Sequence, residues 1–210
     1  MNREDLWIKI CGLHSAEVIR ELADLPVTAA GLNRYKPSPR YVTRKRGQEL
    51  ARAARLHGEL QLVGVYVDAP VEKINEDIDA IGLDYVQLHG DESPGFLRSI
   101  SRKVKILKAF RVDEDFDVSC LDRYDCWAYL LDARVEGKYG GTGQKAPWRL
   151  ISNWTADYPL VLAGGLNPGN IRQAVETVNP RGVDLNSGVE DEQGFKEISK
   201  IKEALRAIDL

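Results

Sequence analysis

The sequence predicts an α/β chain closed into a (β/α)8 barrel, with the fifth helix reduced or missing. Three observations carry this. Short apolar runs alternate with helical stripes along all 210 residues. The runs are continuous rather than alternating, as expected of parallel strands buried on both faces. Eight such strand-then-helix units follow one another with no break, so residues 1–210 read as one barrel domain. An open doubly wound sheet would carry a glycine fingerprint after its first strand, and Cys11-Gly12-Leu13 stands there instead. The chain is shorter than the roughly 250 residues usual for this barrel, which requires trimmed loops and at least one trimmed helix.

The elements follow in order. Leu6–Ile10 is the first strand. Ser15–Asp24 has Val18, Ile19, Leu22 and Ala23 at helical spacing. Pro26–Leu32 is the second strand, leading into a basic loop, Asn33 to Tyr41, that Pro37 and Pro39 keep extended and stiff. Thr43 caps a helix reaching His57, and Arg44, Lys45, Arg46 and Arg52 read as a solvated helix face. Gln61–Val67 is the third strand and Val71–Ala80 its helix. Tyr85–Leu88 is the fourth, followed by His89-Gly90-Asp91-Glu92 and a short helix, Pro94–Ser101. Val104–Ala109 is the fifth strand, and Val112–Tyr124 lacks a helical stripe. Cys126–Leu131 is the sixth strand, ending at Asp132. A loop with Gly140-Gly141-Thr142-Gly143 follows and reads as a mobile flap, then a short helix, Trp148–Trp154. Leu160–Ala163 and Gly182–Leu185 are the last two strands. The helix after the seventh is expected to start at Asn167-Pro168. Phe195, Ile198, Ile201, Leu205 and Ile208 stripe the final helix.

Composition excludes several classes. The formal net charge is -3 with both signs dispersed, unlike a nucleic-acid footprint. No signal peptide or membrane span is legible, so no membrane partner is expected. Three cysteines without framework spacing fit a reducing cytoplasm. No Cys/His cluster has metal-ligand spacing. A monomer and a homodimer fit equally well.

In such barrels the chemistry sits where strands end. Those positions hold Cys11, Arg40, His89, Asp132, Asp184 and Ser187. Gly164-Gly165 and Ser187-Gly188 end the last two strands, where backbone N–H groups and a helix N-terminus can cradle a phosphate. Cys11 as a thiolate base and Asp132 as a carboxylic acid would together move a proton from carbon while protonating an oxygen, with no metal or redox cofactor. A cysteine there is also simply a small buried residue, and an aspartate after a strand also caps helices. Cys120 and Cys126 read as packing residues. His89 can contact substrate or satisfy backbone carbonyls. Arg40 can take a carboxylate on its two-pronged guanidinium or face solvent.

Seven stretches form a recognisable set: Lys9–Gly12, Lys36–Tyr41, Gln87–Glu92, Leu131–Ala133, Gly137–Gly143, Leu162–Leu166 and Asn186–Glu190. In content, order and spacing, across essentially the whole chain, they resemble the phosphoribosylanthranilate isomerase family. The resemblance implies a (β/α)8 enzyme of the tryptophan pathway acting on a small phosphosugar, by an Amadori rearrangement of N-(5-phosphoribosyl)anthranilate. It implies Cys11 as general base at ribose C2 and Asp132 as general acid at the furanose oxygen. Arg40 would hold the anthranilate carboxylate, and Gly164, Gly165, Ser187 and Gly188 the phosphate. Asp184 and His89 match positions in the mouth. Two departures stand out. His14-Ser15 replaces a Thr-containing helix start. Asn33-Arg34-Tyr35 stands where an apolar residue is usual, so Arg34 adds a cation near the anthranilate pocket. It either turns outward or alters substrate preference, the latter suggesting a relative that isomerises another phosphosugar amine. A non-catalytic phosphate-binding barrel is the third reading, and the Cys11–Asp132 pair argues against it.

Overall fold

The computed structural model describes residues 6–113, 115–132 and 148–210. Eight parallel strands close into a barrel in sequence order: β1 Trp7–Ile10, β2 Ala29–Asn33, β3 Gln61–Tyr66, β4 Tyr85–Leu88, β5 Lys105–Arg111, β6 Ala128–Asp132, β7 Leu160–Ala163 and β8 Gly182–Leu185. β8 returns to β1 with Lys9 opposite Asp184, which closes the cylinder. Around it lie α1 Ala16–Ala23, α2 Arg44–His57, α3 Val71–Asp77, α4 Pro94–Leu97, α5 Trp148–Ser152, α6 Ile171–Val178 and α7 Ile198–Ala207.

Helices α1, α2 and α6 each have a local cause for where they start or stop. Ser15 Oγ accepts from Val18 N and starts α1, and Thr43 Oγ1 accepts from Arg46 N and starts α2, each satisfying a donor with no intrahelical partner. Asn179 at φ 49 ends α6 as a left-handed cap. The fifth crossover is indeed reduced: a 3-10 segment, Val118–Arg123, replaces the helix. α3 runs on as a π turn, Ile78–Gly82, and α4 is one turn long. α6 begins at Ile171 rather than Asn167-Pro168, because residues 167–170 form a turn in which Asn170 Oδ1 accepts from Asn167 N at 2.8 Å. Phe195 lies outside α7, half exposed, with its ring 5.2 Å from that of His14. The Gly140–Gly143 flap lies outside the described residues.

Side chains alternate across each strand, so every second residue enters the barrel. The outward set packs under the helices: Ile8, Ile10, Leu62, Val86, Leu88, Leu131, Leu160, Leu162, Val183 and Leu185 are all buried there. The inward set forms a separate cluster with Trp7, Cys11, Val63, Val65, Tyr85, Leu107, Leu130 and Val161. At the N-terminal end Trp7, Tyr85 and Trp127 meet with ring centroids 5.0–5.5 Å apart. Lys105 and Arg181 lie over the Trp127 ring. This aromatic plug shuts one end and leaves the other as the mouth.

Candidate active site

Strand parity assembles the mouth. Trp7, Lys9 and Cys11 share a face of the first strand, Tyr85, Gln87 and His89 of the fourth, Ala128, Leu130 and Asp132 of the sixth, and Gly182, Asp184 and Asn186 of the eighth. Members of the first three trios belong to the inward cluster, and Asp184 on the eighth strand meets Lys9 of the first, so Cys11, His89, Asp132 and Asp184 converge on one space. Asp132 is the last residue of β6 rather than the residue beyond it. Its backbone carbonyl accepts from Val112 N at 3.1 Å.

Cys11 is 5 % exposed. Its backbone is pinned between neighbours: Cys11 N donates to Leu185 O at 2.8 Å, and Gly12 N to Gly31 O at 2.9 Å. Gly12 has φ 77, a left-handed bend that glycine takes without penalty. The same glycine makes room for Arg40, since a Cβ there would meet Arg40 Cδ at 2.6 Å. Burial pushes the Cys11 thiol up, and the Lys9 ammonium opposes that shift.

Lys9 was not singled out in the sequence, yet it lies at the centre of the site. It is fully buried, and Nζ donates to Asp184 Oδ2 at 2.8 Å. Burial pulls its pKa down, but Asp184 and Cys11 together carry it above the ordinary lysine value, so it stays charged. A lysine inside a strand run of Trp-Ile-Lys-Ile was the available signal, because such a charge is buried only with a partner. Among the described residues, buried Asp184 Oδ1 and Gln87 Oε1 have no hydrogen-bond partner, and they are polar atoms of the kind a ligand or ordered water satisfies. Gln87 Nε2 lies 2.8 Å from His89 Nδ1. Burial lowers the His89 pKa, with Asp132 and Lys9 both close enough to act on it.

Arg40 comes from the Pro-Ser-Pro loop, which Asn33 Nδ2 braces by donating to Ser38 Oγ at 3.1 Å. Its guanidinium meets Glu190, Nε to Oε1 at 2.7 Å and Nη2 to Oε2. Glu190 also accepts from Lys196, which in turn donates to Asn186 Oδ1 at 2.8 Å. Arg40 therefore belongs to the mouth and is tied to the turn after β8. Arg34 does not belong to it. It is 4 % exposed, donates to Asp77 Oδ2 at 2.9 Å and to the Val42 carbonyl, and so points outward beneath α2 and α3. Asp77 also takes Arg44 and the Tyr66 hydroxyl. The extra cation is a fold staple, and the altered-substrate reading loses its main support. Arg44 and Arg46 likewise hold neighbouring segments, Arg46 donating to His14 O at 2.9 Å, rather than only facing solvent.

Gly164 and Gly165 follow β7 with φ 95 and 76. A Cβ on Gly165 would meet nothing within 4 Å, so its freedom serves backbone conformation and open space above it. Ser187 and Gly188 form a 3-10 turn after β8. A Cβ at Gly188 would lie 2.0 Å from Leu166 O, so the two turns press together and only glycine fits. The His89-Gly90-Asp91-Glu92 stretch divides by role. Glu92 accepts from Gly90 N and Asp68 N, each at 3.0 Å, and pairs with buried Lys108 at 3.0 Å, which locks the loop carrying His89. Cys120 and Cys126 are partly buried against the core, away from the mouth. Among the described residues no His/Cys/Asp/Glu group could hold a metal ion, and no helix is long and apolar enough to cross a membrane.

The comparisons agree with this geometry. The family model for N-(5'-phosphoribosyl)anthranilate (PRA) isomerase matches residues 8–207. The N-(5'-phosphoribosyl)anthranilate isomerase of Syntrophus aciditrophicus is 42 % identical over 201 residues, covering 96 % of this chain and 86 % of that protein. The crystal structure of phosphoribosyl anthranilate isomerase from Thermotoga maritima superposes with a TM-score of 0.84 at 32 % identity, over 97 % of this chain and 98 % of that one. A phosphoribosyl anthranilate isomerase in complex with reduced 1-(o-carboxyphenylamino)-1-deoxyribulose 5-phosphate superposes at 0.80 with 30 % identity, over 97 % and 98 %. With the barrel, the mouth and these matches together, the chain belongs to the N-(5'-phosphoribosyl)anthranilate isomerase family.

Proposed function

We propose that the chain, acting as one catalytic unit, rearranges N-(5-phosphoribosyl)anthranilate to 1-(2-carboxyphenylamino)-1-deoxyribulose 5-phosphate by acid–base catalysis between Asp132 and Cys11. The observation that carries the reading is the shared inward face of Cys11, His89, Asp132 and Asp184 at one open barrel end, above two glycine turns. Asp132 donates a proton to the furanose ring oxygen. The C1–O bond breaks, and the anthranilate nitrogen forms an iminium with C1. The iminium acidifies C2, and the Cys11 thiolate removes the C2 proton. The C2–H electrons form the C1–C2 double bond of an enolamine, which tautomerises to the ketone.

The surroundings support these roles. Burial raises the Cys11 thiol, and a thiolate formed there is a correspondingly stronger base. Arg40, lying across Gly12 beside Cys11, takes the anthranilate carboxylate on the donors that Glu190 leaves over. Gly164, Gly165, Ser187 and Gly188 offer backbone N–H groups to the phosphate. Asp184 Oδ1 accepts a ribose hydroxyl, which satisfies an otherwise orphaned buried oxygen. His89, held by Gln87, contacts substrate beside Asp132.

The test is a fluorescence assay of substrate loss with wild type, Cys11→Ala and Asp132→Asn. Both variants are expected to lose turnover by several orders of magnitude while binding a reduced product analogue. Near-normal turnover in either removes that residue from the mechanism.

A further inference from the structure

We propose that Lys9 is a positioning residue for the Cys11 thiol. Its ammonium, locked on Asp184 one layer deeper in the barrel, supplies the fixed positive charge that makes a thiolate accessible in a dry site. The proposal rests on the reading of Cys11 as the base.

Three observations point to it. Lys9 is fully buried, with Nζ held 2.8 Å from Asp184 Oδ2 across adjacent strands. Its tail and the thiol crowd one point beside β2: a Cβ on Gly31 would meet Lys9 Cε at 2.9 Å and Cys11 Sγ at 3.0 Å. The charge of the ammonium acts on the thiol against the rise that burial causes. Stability alone does not account for such a residue, because replacing a buried ion pair by apolar side chains is often neutral or stabilising.

The other charges around the thiol do not substitute for it. Arg40 and Lys196 approach from the loops after β2 and β8, and both are tied to Glu190. Burial lowers Lys196 below the ordinary lysine value. Asp184, from β8, opposes thiolate formation. His89 is lowered by burial, so it adds no cation near neutral pH. Among the described residues, Lys9 is the group that combines full burial and a retained charge with a tail packed beside the thiol.

The experiment titrates the ultraviolet absorbance of the Cys11 thiolate against pH in substrate-free protein. Each protein is read as a difference from the same protein carrying Cys11→Ala, which cancels Cys120 and Cys126. Lys9→Met is expected to raise the midpoint by about one unit or more, a thiolate population roughly tenfold lower at pH below it. Lys9→Arg is expected to keep the wild-type midpoint to within about half a unit, as charge rather than shape carries the effect. Lys9→Met leaves Asp184 unpaired and can fail to fold. The second comparison, Asp184→Asn against Lys9→Met with Asp184→Asn, therefore removes the same charge with no orphaned carboxylate. Equal midpoints in that pair, or an unshifted Lys9→Met, overturn the proposal. The thiol midpoint is read without turnover. An active Cys11→Ala enzyme would therefore sink the base assignment while leaving the lysine–thiol coupling separately decided.

Discussion

Arg40 grips Glu190 at two points, with Nε 2.7 Å from Oε1 and Nη2 on Oε2. The contact joins residues 150 positions apart and links the loop after β2 to the turn after β8. Ser187 and Gly188 lie in that same turn, so one ion pair sets Arg40 relative to the glycine turn after β8. The Arg40 side chain is 24 % exposed and that of Glu190 only 4 %, so the pair is shielded more than a surface salt bridge and is worth more. Burial alone would raise Glu190, yet Arg40 and Lys196 hold it below the usual carboxylate range. Glu190→Gln weakens the grip and loosens Arg40 without removing it. The expected result is a KM about tenfold higher, with kcat changed less than about threefold, the pattern of lost uniform binding. Steady-state kinetics on the anthranilate substrate measures it. An unchanged KM would show that Arg40 is held by its loop alone.

Arg34 makes the opposite case. It is buried on Asp77, which Arg44 and Tyr66 also contact, and its guanidinium carbon lies 5.7 Å from the Tyr41 ring centre. Removing one partner of a buried pair leaves an uncompensated charge, at a cost of about 3–5 kcal/mol. Arg34→Met is expected to lose stability of that order in urea unfolding. KM of the folded fraction should stay within about twofold of wild type. A KM shift with little loss of stability would return Arg34 to the substrate pocket.

Gly31 tests how tightly the thiol is placed. A Cβ there would lie 2.9 Å from Cys11 Cα and 3.0 Å from Cys11 Sγ. The first is backbone and cannot swing away, so β1 and β2 must part slightly or the thiol must turn. Misplacing a reacting group by about 1 Å can cost roughly a hundredfold. Gly31→Ala is expected to lower kcat by about that factor while circular dichroism stays native. Wild-type kcat in a folded Gly31→Ala protein would mean that the thiol has more latitude than the packing indicates.

Much of this was legible beforehand, for a physical reason. Strands buried on both faces leave long apolar runs, and the residues that interrupt them at strand ends stand out. Cys11, Asp132 and Asp184 were visible in that way, as were the glycines after β7 and β8. Three features were hidden because they depend on pairing across the barrel. Lys9 stands inside a strand, and only the register opposite Asp184 explains it. Glu190 ends the Asn186–Glu190 stretch with no role legible there, because its partner Arg40 is distant in sequence. Arg34 is close to the pocket along the chain, but strand alternation turns it to the outer layer, where Asp77 meets it from α3.

His89 gives a pH signature with a definite sign. Burial lowers its pKa below the ordinary 6.5, outweighing the pull of Asp132 and Asp184 in the other direction. In the folded chain the imidazole therefore stays neutral to lower pH than in the unfolded chain. Below about pH 6.5 the unfolded state takes up a proton that the folded state does not, so stability falls as pH drops from there towards the folded pKa. Above that value both states are neutral and the contribution is flat. His89→Gln removes this titration while keeping a side chain of similar polarity. Chemical denaturation at a series of pH values from about 7.5 to 5 is the measurement. The variant is expected to lose less stability than wild type over the acid part of that range, the two curves converging in slope above pH 7. Parallel curves throughout would mean that His89 titrates as an exposed histidine does. Its pairing with Gln87 at 2.8 Å would then not be holding a neutral ring beside Asp132.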